Sequence, residues 1–236
     1  MTMKTLIMCD KRLPSPAKNR LADFGVLIEL RTEDITYPVI SGHPDIFCCP
    51  VGDTLVVSPN LPSVYSEILN VNAIKWVYGV KSNSKTYPNS AIYNAVVTDN
   101  LLIHNLKITD IKILQLAGAR KQIHVNQGYT RCNLLPLPGE KFITSDKGIY
   151  TVLTQEGFEV LYVNPDGILL EGFPNGFIGG VCGVKENNIF FAGSLSEYKE
   201  GQKIRDFLSL HSLTPVEIHD GPLFDGGSII FIHLQH

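Results

Sequence analysis

Asn133-Leu-Leu-Pro-Leu-Pro-Gly-Glu-Lys-Phe-Ile-Thr-Ser145 is an apolar run that turns at Gly139-Glu140 and comes back as a second apolar run. The pattern occurs at four other places, from Asp45 to Ser58, Asn94 to His104, Gly179 to Gly193 and Asp225 to Ile232. Each copy opens on an Asx or Gly residue and stops at a small or polar one, and the starts are roughly 39 to 49 residues apart. Three further turn pairs, Gly52-Asp53, Asp99-Asn100 and Asn187-Asn188, suit tight hairpins. A period of this size marks stacked or radially arranged units. If the units close into a ring, the five segment starts converge on one axis.

Between hairpins the chain reads as helix and then short strand. Ser15 to Phe24 begins with Ser-Pro and stops at Gly25, before the strand Val26 to Leu30. Ser63 to Asn70, Thr109 to Ala117, Ser145 to Glu156 and Lys203 to His211 read as the other helices. Their strands are Ile74 to Tyr78, Gln122 to Val125, Glu159 to Val163 and Val216 to His219. The expected fold class is therefore α+β, a pseudo-five-fold ring of small sheets with outer helices in one domain, 1–236. The units run approximately 10–60, 61–105, 106–145, 146–194 and 195–236. The last unit lacks a full hairpin, and the strand Thr5 to Cys9 is the partner that closes the ring.

Hydrophobic residues make up 44% of the chain, enough for a buried core, and a net charge of −3 gives no electrostatic case for nucleic acid or a membrane surface. No apolar run is long enough to span a bilayer, and Thr5 to Cys9 is too short for a signal-peptide core. The five cysteines, Cys9, Cys48, Cys49, Cys132 and Cys182, are odd in number with no CxxC pair. Reduced thiols in the cytoplasm are expected, with no metal site and no cofactor. The oligomeric state stays open.

Five helix-plus-sheet units of this length resemble the pentein fold, the αβ-propeller of guanidino-group-modifying enzymes such as deiminases, dimethylarginine dimethylaminohydrolases and amidinotransferases. A non-enzymatic translation factor has a similar fold. Three motifs add to the resemblance. Gly42-His43-Pro44-Asp45 is similar to the Gly-His-x-Asp motif of the deiminases, and Arg131-Cys132-Asn133-Leu134-Leu135-Pro136-Leu137 to the Arg-Cys-x-x-x-Pro-Leu stretch around their nucleophile. Phe224-Asp225-Gly226-Gly227 resembles their acid-Gly-Gly motif. In family order the acid precedes the His and the Cys lies in the last module. Here the last unit has no Cys, and Phe177-Ile-Gly-Gly stands where the His would be. Read as a circular shift, Asp225 lies about one unit before His43 and His43 about two units before Cys132, which is the family spacing.

The resemblance implies Cys132 as nucleophile on a guanidinium carbon, His43 as proton shuttle and Asp225 as the cation-gripping acid. Asp45, Asn94, Asn133, Arg131 and Asp220 are the substrate-binding candidates. The residue types suit that chemistry: a thiolate attacks a poor electrophile, an imidazole protonates an amine leaving group, and a carboxylate orients a planar cation. Each residue also has a structural reading. Cys132 can be a buried small residue, His43 can cap a loop, and the Asx residues can satisfy backbone groups at strand entries. Asp220 sits in a turn sequence, and Arg131 can pair with Asp45 or Asp225. Cys182 reads as packing, and Cys48 and Cys49 as a pair between helix and sheet. His104, His124, His211, His219, His233 and His236 read mostly as surface residues. Two functions follow: a deiminase- or amidinohydrolase-like enzyme on a small cationic guanidino or amidino compound, or a non-catalytic binding protein on the same fold.

Overall fold

The computed structural model describes residues 5–233; His236 and the side chain of His233 lie outside the described residues. The chain opens with β1 (Thr5–Asp10), α1 (Ser15–Ala22) and β2 (Val26–Leu30). A four-residue helix α2 (Pro44–Phe47) leads into β3 (Cys48–Val51) and β4 (Thr54–Val57), then α3 (Ser63–Val71) and β5 (Trp76–Tyr78). The third group is β6 (Val96–Val97), β7 (Leu101–His104), α4 (Ile111–Ala117) and β8 (Lys121–His124). The fourth is α5 (Thr130–Asn133), β9 (Leu134–Leu137), β10 (Lys141–Thr144), α6 (Lys147–Gln155) and β11 (Val160–Tyr162). The fifth is α7 (Ile178–Val181), β12 (Cys182–Lys185), β13 (Asn188–Phe191), α8 (Gly201–Leu210) and β14 (Thr214–Glu217). The strand β15 (Ile230–His233) ends the described chain.

These strands form five three-stranded sheets. In the sheet β3-β4-β5, β3 and β4 make an antiparallel hairpin, and β4 pairs in parallel with β5 through the α3 crossover. The sheets of β6-β7-β8, β9-β10-β11 and β12-β13-β14 repeat this topology. The fifth is closed by the two ends of the chain. β15 lies antiparallel to β1, with Leu6 opposite Ile232 and Met8 opposite Ile230, and β1 lies parallel to β2. The N-terminal strand thus completes the ring as its sequence suggests.

The unit frame differs from the sequence reading. A boundary near residue 60 would cut between β4 and β5, which share a sheet. Strand–helix–strand crossovers return a parallel neighbour to the same sheet, so each hairpin belongs with the helix that follows it. The short helices α2, α5 and α7 were not expected. Each is one turn, below the length at which a 3.6-residue period can be read.

Helix placement follows local chemistry. Asp110 caps α4 by accepting from Lys112 N at 2.8 Å, and Asp146 caps α6 by accepting from Ile149 N at 2.8 Å. Helices bury one face against their sheets: Leu21 of α1, Leu69 of α3, Ile113 of α4, Leu153 of α6, and Ile204 with Leu208 of α8 are all fully buried. Burying each such side chain contributes about 1.5–3 kcal/mol. The first strands of the sheets face inward. A cavity of about 190 Å³ is lined by Pro50, Ala95, Pro136, Val184 and Ile230, one residue from or beside the first strand of each sheet. The five sheets therefore surround one axis. No helix among the described residues is long and apolar enough to cross a membrane.

One histidine departs from its expected surface position. His104 is fully buried at the end of β7, with Nδ1 2.8 Å from Thr109 Oγ1 and Nε2 2.8 Å from Gly128 O. Burial pushes its pKa down from 6.5 to about 4. The folded state keeps the ring neutral where the unfolded chain protonates it. The stabilisation is therefore complete above pH 6.5 and is lost as pH falls toward 4. It amounts to about 3 kcal/mol. Urea unfolding of the wild type and His104→Gln from pH 7 to 4 should show the wild type losing about that much more stability. Parallel pH curves for the two proteins would refute this assignment.

Candidate active site

The inner ends of three units meet around Cys132. It lies in α5, where the backbone turns once before entering β9. Its N–H donates to Asn94 Oδ1 at 3.0 Å, and Asn94 Nδ2 in turn donates to Cys132 Sγ at 3.2 Å and to Asp45 O at 3.1 Å. Asn94 thus clamps two neighbouring units together through backbone groups at the axis. Cys132 Sγ also donates to Asp45 Oδ2 at 3.2 Å. Asp45 sits in α2, with its N–H on Gly227 O at 3.1 Å, and its Oδ2 receives a second hydrogen bond from Ser228 Oγ at 2.6 Å.

His43 is the residue before α2, following a 3-10 turn at Pro38–Ile40. One donor atom each of His43, Asp45 and Cys132 lie within 4.8 Å of one another. Both ring nitrogens of His43 and Oδ1 of Asp45 are buried without a hydrogen-bond partner. Such groups are expensive to bury unsatisfied, and three of them lie together here. Asp225 completes the group. Its oxygens accept from Phe177 N at 2.9 Å and Gly227 N at 3.0 Å.

The glycines of the motifs have a steric role here. Gly227, at φ +68°, packs so closely on His43 that a Cβ would overlap the His43 side chain, and a Cβ on Gly180 would overlap the Asp225 carboxylate. Gly-Gly at both places lets backbone and acid share the axis.

The site is dry. His43, Asp45, Asn94, Cys132 and Asp225 are each no more than 3% exposed. Desolvation, reinforced by the Asp45 and Asp225 charges and the hydrogen bond to Asp45, pushes the Cys132 thiol well above its ordinary pKa. Asp225 is also raised, chiefly by burial, with the His43 charge and the two backbone N–H groups pulling the other way. A thiol at rest beside two carboxylates is neutral at pH 7. A cation placed among the same groups would lower both pKa values, because it favours their charged forms.

Other expected residues stand elsewhere. Asn133 is buried, but its amide donates to Tyr129 O at 3.0 Å and its oxygen accepts from Ser145 Oγ at 3.3 Å, away from the thiol. One residue along a helical turn rotates the side chain by about 100°, which separates Asn133 from Cys132. Arg131 pairs with neither Asp45 nor Asp225 by a direct ion pair. Its guanidinium donates to Gly179 O at 2.8 Å and Cys182 O at 3.2 Å, bolting α5 to the next unit. Asp220 is exposed in its turn beside His219. The acid that the sequence reading missed is Asp10, at the end of β1, whose Oδ2 lies 3.9 Å from His43 Nε2. Ser228 was missed too, as were Tyr37 and Tyr129, whose hydroxyls are 3.2 Å apart, with Tyr129 2.6 Å from Ser90 Oγ. A thiol, an imidazole and a carboxylate are also ligands that zinc accepts, so a chelator control belongs in any assay of this centre.

Solved structures share this architecture, a pentein-like pseudo-five-fold propeller. SxtG, an amidinotransferase of the saxitoxin biosynthetic pathway from Microseira wollei, matches with a TM-score of 0.57 at 12% identity, over 91% of this chain and 88% of its own. A mutant of the dimethylarginine dimethylaminohydrolase from Pseudomonas aeruginosa, complexed with citrulline, matches with a TM-score of 0.55 at 8% identity, over 92% of both chains. ArgZ, an arginine dihydrolase from the ornithine–ammonia cycle in cyanobacteria, matches with a TM-score of 0.55 at 7% identity. That match covers 99% of this chain and 39% of ArgZ. Likeness at such identity concerns the fold alone. No curated protein matches the chain. A family model matches residues 8–230, and the chain belongs to that family, the family of unknown function DUF6873.

Proposed function

We propose that this protein is a cysteine-dependent enzyme acting at the central carbon of a small guanidino or amidino cation, with Cys132, His43 and Asp225 as its catalytic residues. The observation that carries this reading is the meeting of Cys132 Sγ, a His43 ring that makes no hydrogen bond and the Asp45 carboxylate within 4.8 Å. Asp45 and Asp225 would hold the cation, and Asn94 would position the thiol. The bound cation would offset the two carboxylates and let the Cys132 proton pass to His43. The thiolate would form a C–S bond to the guanidinium carbon. His43 would deliver a proton to the departing amine as the C–N bond breaks, leaving an S-alkylthiouronium. Water, giving its proton to His43, would then form a C–O bond and expel the thiolate, yielding a ureido product and an amine or ammonium. An acceptor amine in place of water would make the same chemistry an amidinotransfer. The five free, buried thiols suit a reducing compartment, and cytoplasmic residence belongs to this proposal.

The test is incubation with arginine, agmatine and methylated arginines and assay of citrulline-type product, with and without EDTA. Turnover that is lost in Cys132→Ser and insensitive to the chelator is the expected result. Full activity in Cys132→Ser removes the proposal.

The burial of the whole cluster favours a second reading, a non-catalytic pentein-fold binding protein. Under it, no substrate is turned over and Cys132 alkylates slowly with or without a guanidino compound. Under the first, a cationic ligand changes the rate at Cys132 alone.

A further inference from the structure

A guanidinium is already present beside this site, and it belongs to the protein. Arg12 folds back on Asp10 as a fork: its Nε donates to Asp10 Oδ1 at 3.0 Å and its Nη2 to Asp10 Oδ2 at 2.5 Å. The same Oδ2 is the atom 3.9 Å from His43 Nε2. The Arg12 side chain is 36% exposed, whereas Asp10 behind it is wholly covered. Arg12 forms part of the wall of a cavity of about 400 Å³ that also touches Asp10, Gly42, Ser41, Lys11 and Arg31. Its Nη1 and Nη2 reach the carbonyls of Pro38 at 3.2 Å and Val39 at 2.6 Å, tying down the segment that leads to His43. Asp225 and Glu171 also act on the Arg12 charge. Gly42 has no Cβ, and one placed there would come within 2.5 Å of the Asp10 carboxylate.

We propose that Asp10 is a guanidinium-binding carboxylate of the site and that Arg12 is its resident, exchangeable occupant, which an incoming guanidino ligand displaces. This rests on the reading of the site as one for guanidino cations. The geometry supports it in three ways. The bond pattern is the planar, two-pronged match that distinguishes guanidinium from ammonium. The occupant comes from the solvent side, through a cavity large enough for a small ligand. And it holds the same Asp10 Oδ2 that faces a His43 ring whose nitrogens make no hydrogen bond. Arg12 thus keeps Asp10 paired and the site closed when no ligand is bound.

The experiment measures binding, so it does not depend on turnover. Methylguanidinium is titrated by calorimetry into the wild type, Arg12→Ala and Arg12→Met, the last retaining the aliphatic stem. Removing the internal competitor should tighten binding about tenfold or more, and adding Asp10→Asn to Arg12→Ala should abolish the gain. Iodoacetamide should label Cys132 faster in the Arg12 variants while the other four cysteines keep their rates. Equal or weaker methylguanidinium binding in folded Arg12 variants overturns the proposal. So does loss of folding in both, which would make Arg12 a structural bolt. A binding gain with no turnover in any variant leaves this inference standing and removes the enzymatic one. Turnover with no binding gain does the reverse.

Discussion

Cys132→Ser is expected to leave the protein folded and to reduce guanidino turnover at least a thousandfold, about 4 kcal/mol of transition-state stabilisation. Folding should survive because a hydroxyl can take over both contacts of the thiol, accepting from Asn94 Nδ2 and donating to Asp45 Oδ2. Chemistry should not, because a serine hydroxyl with only these partners ionises far less readily than a thiol and is a weaker nucleophile. The pH dependence gives a second mark. Burial and the two acids hold the Cys132 pKa high, so the reactive thiolate is scarce in the free protein at pH 7. Alkylation of free wild type should therefore climb about tenfold per pH unit through neutral and mildly alkaline pH, without a plateau. A saturating guanidino ligand should shift that climb to lower pH. A Cys132 that labels at a pH-independent rate from pH 6 upward would contradict the charge environment described here.

The ring was legible because hairpins announce themselves. Gly52-Asp53 and Gly139-Glu140 turn between apolar strands, and four of the five sheets carry a hairpin, although the fourth turns at Glu186-Asn187, one residue before the expected Asn187-Asn188. The fifth was recoverable from Thr5–Cys9, a strand with no hairpin partner beside it in sequence that pairs antiparallel with β15. The phase of the units was not legible, since adjacency along the chain does not say which hairpin a helix packs behind. At the candidate site, glycine neighbours gave His43 and Asp225 recognisable motifs, and Cys132 stood out only by its Arg-Cys-x-x-x-Pro-Leu setting. Asp10 carried no such mark. It ends a wholly buried strand, and only the closure of β1 against the ends of the ring brings it to His43. Asn133 failed for the opposite reason. Its position beside Cys132 looked right, and a single helical turn, invisible to periodicity, pointed it elsewhere. Arg131 met carbonyls where carboxylates were expected, because Gly179 brings the backbone of α7 up against α5.

Two features of the centre pull against each other, and one substitution separates them. Asp45 raises the thiol pKa by charge and by its hydrogen bond, and in the proposed function it also holds the cation. Asp45→Asn keeps the shape and can still accept from Ser228 Oγ, so stability should change by about 1 kcal/mol or less, the cost or gain of altering one buried polar group. Without the negative charge, the Cys132 thiol should ionise more easily, and labelling of the free protein at pH 8 should rise about tenfold, one pKa unit. Binding of a guanidino cation should meanwhile weaken about a hundredfold, because a buried charge-assisted pair is replaced by a neutral contact. The variant would then have a more reactive cysteine and a poorer enzyme. If labelling and cation affinity instead moved in the same direction, Asp45 would not be acting as a charge shared between thiol and ligand. The hydrogen bond from Cys132 would then be a packing contact, and the grip on the cation would fall to Asp225 and Asp10.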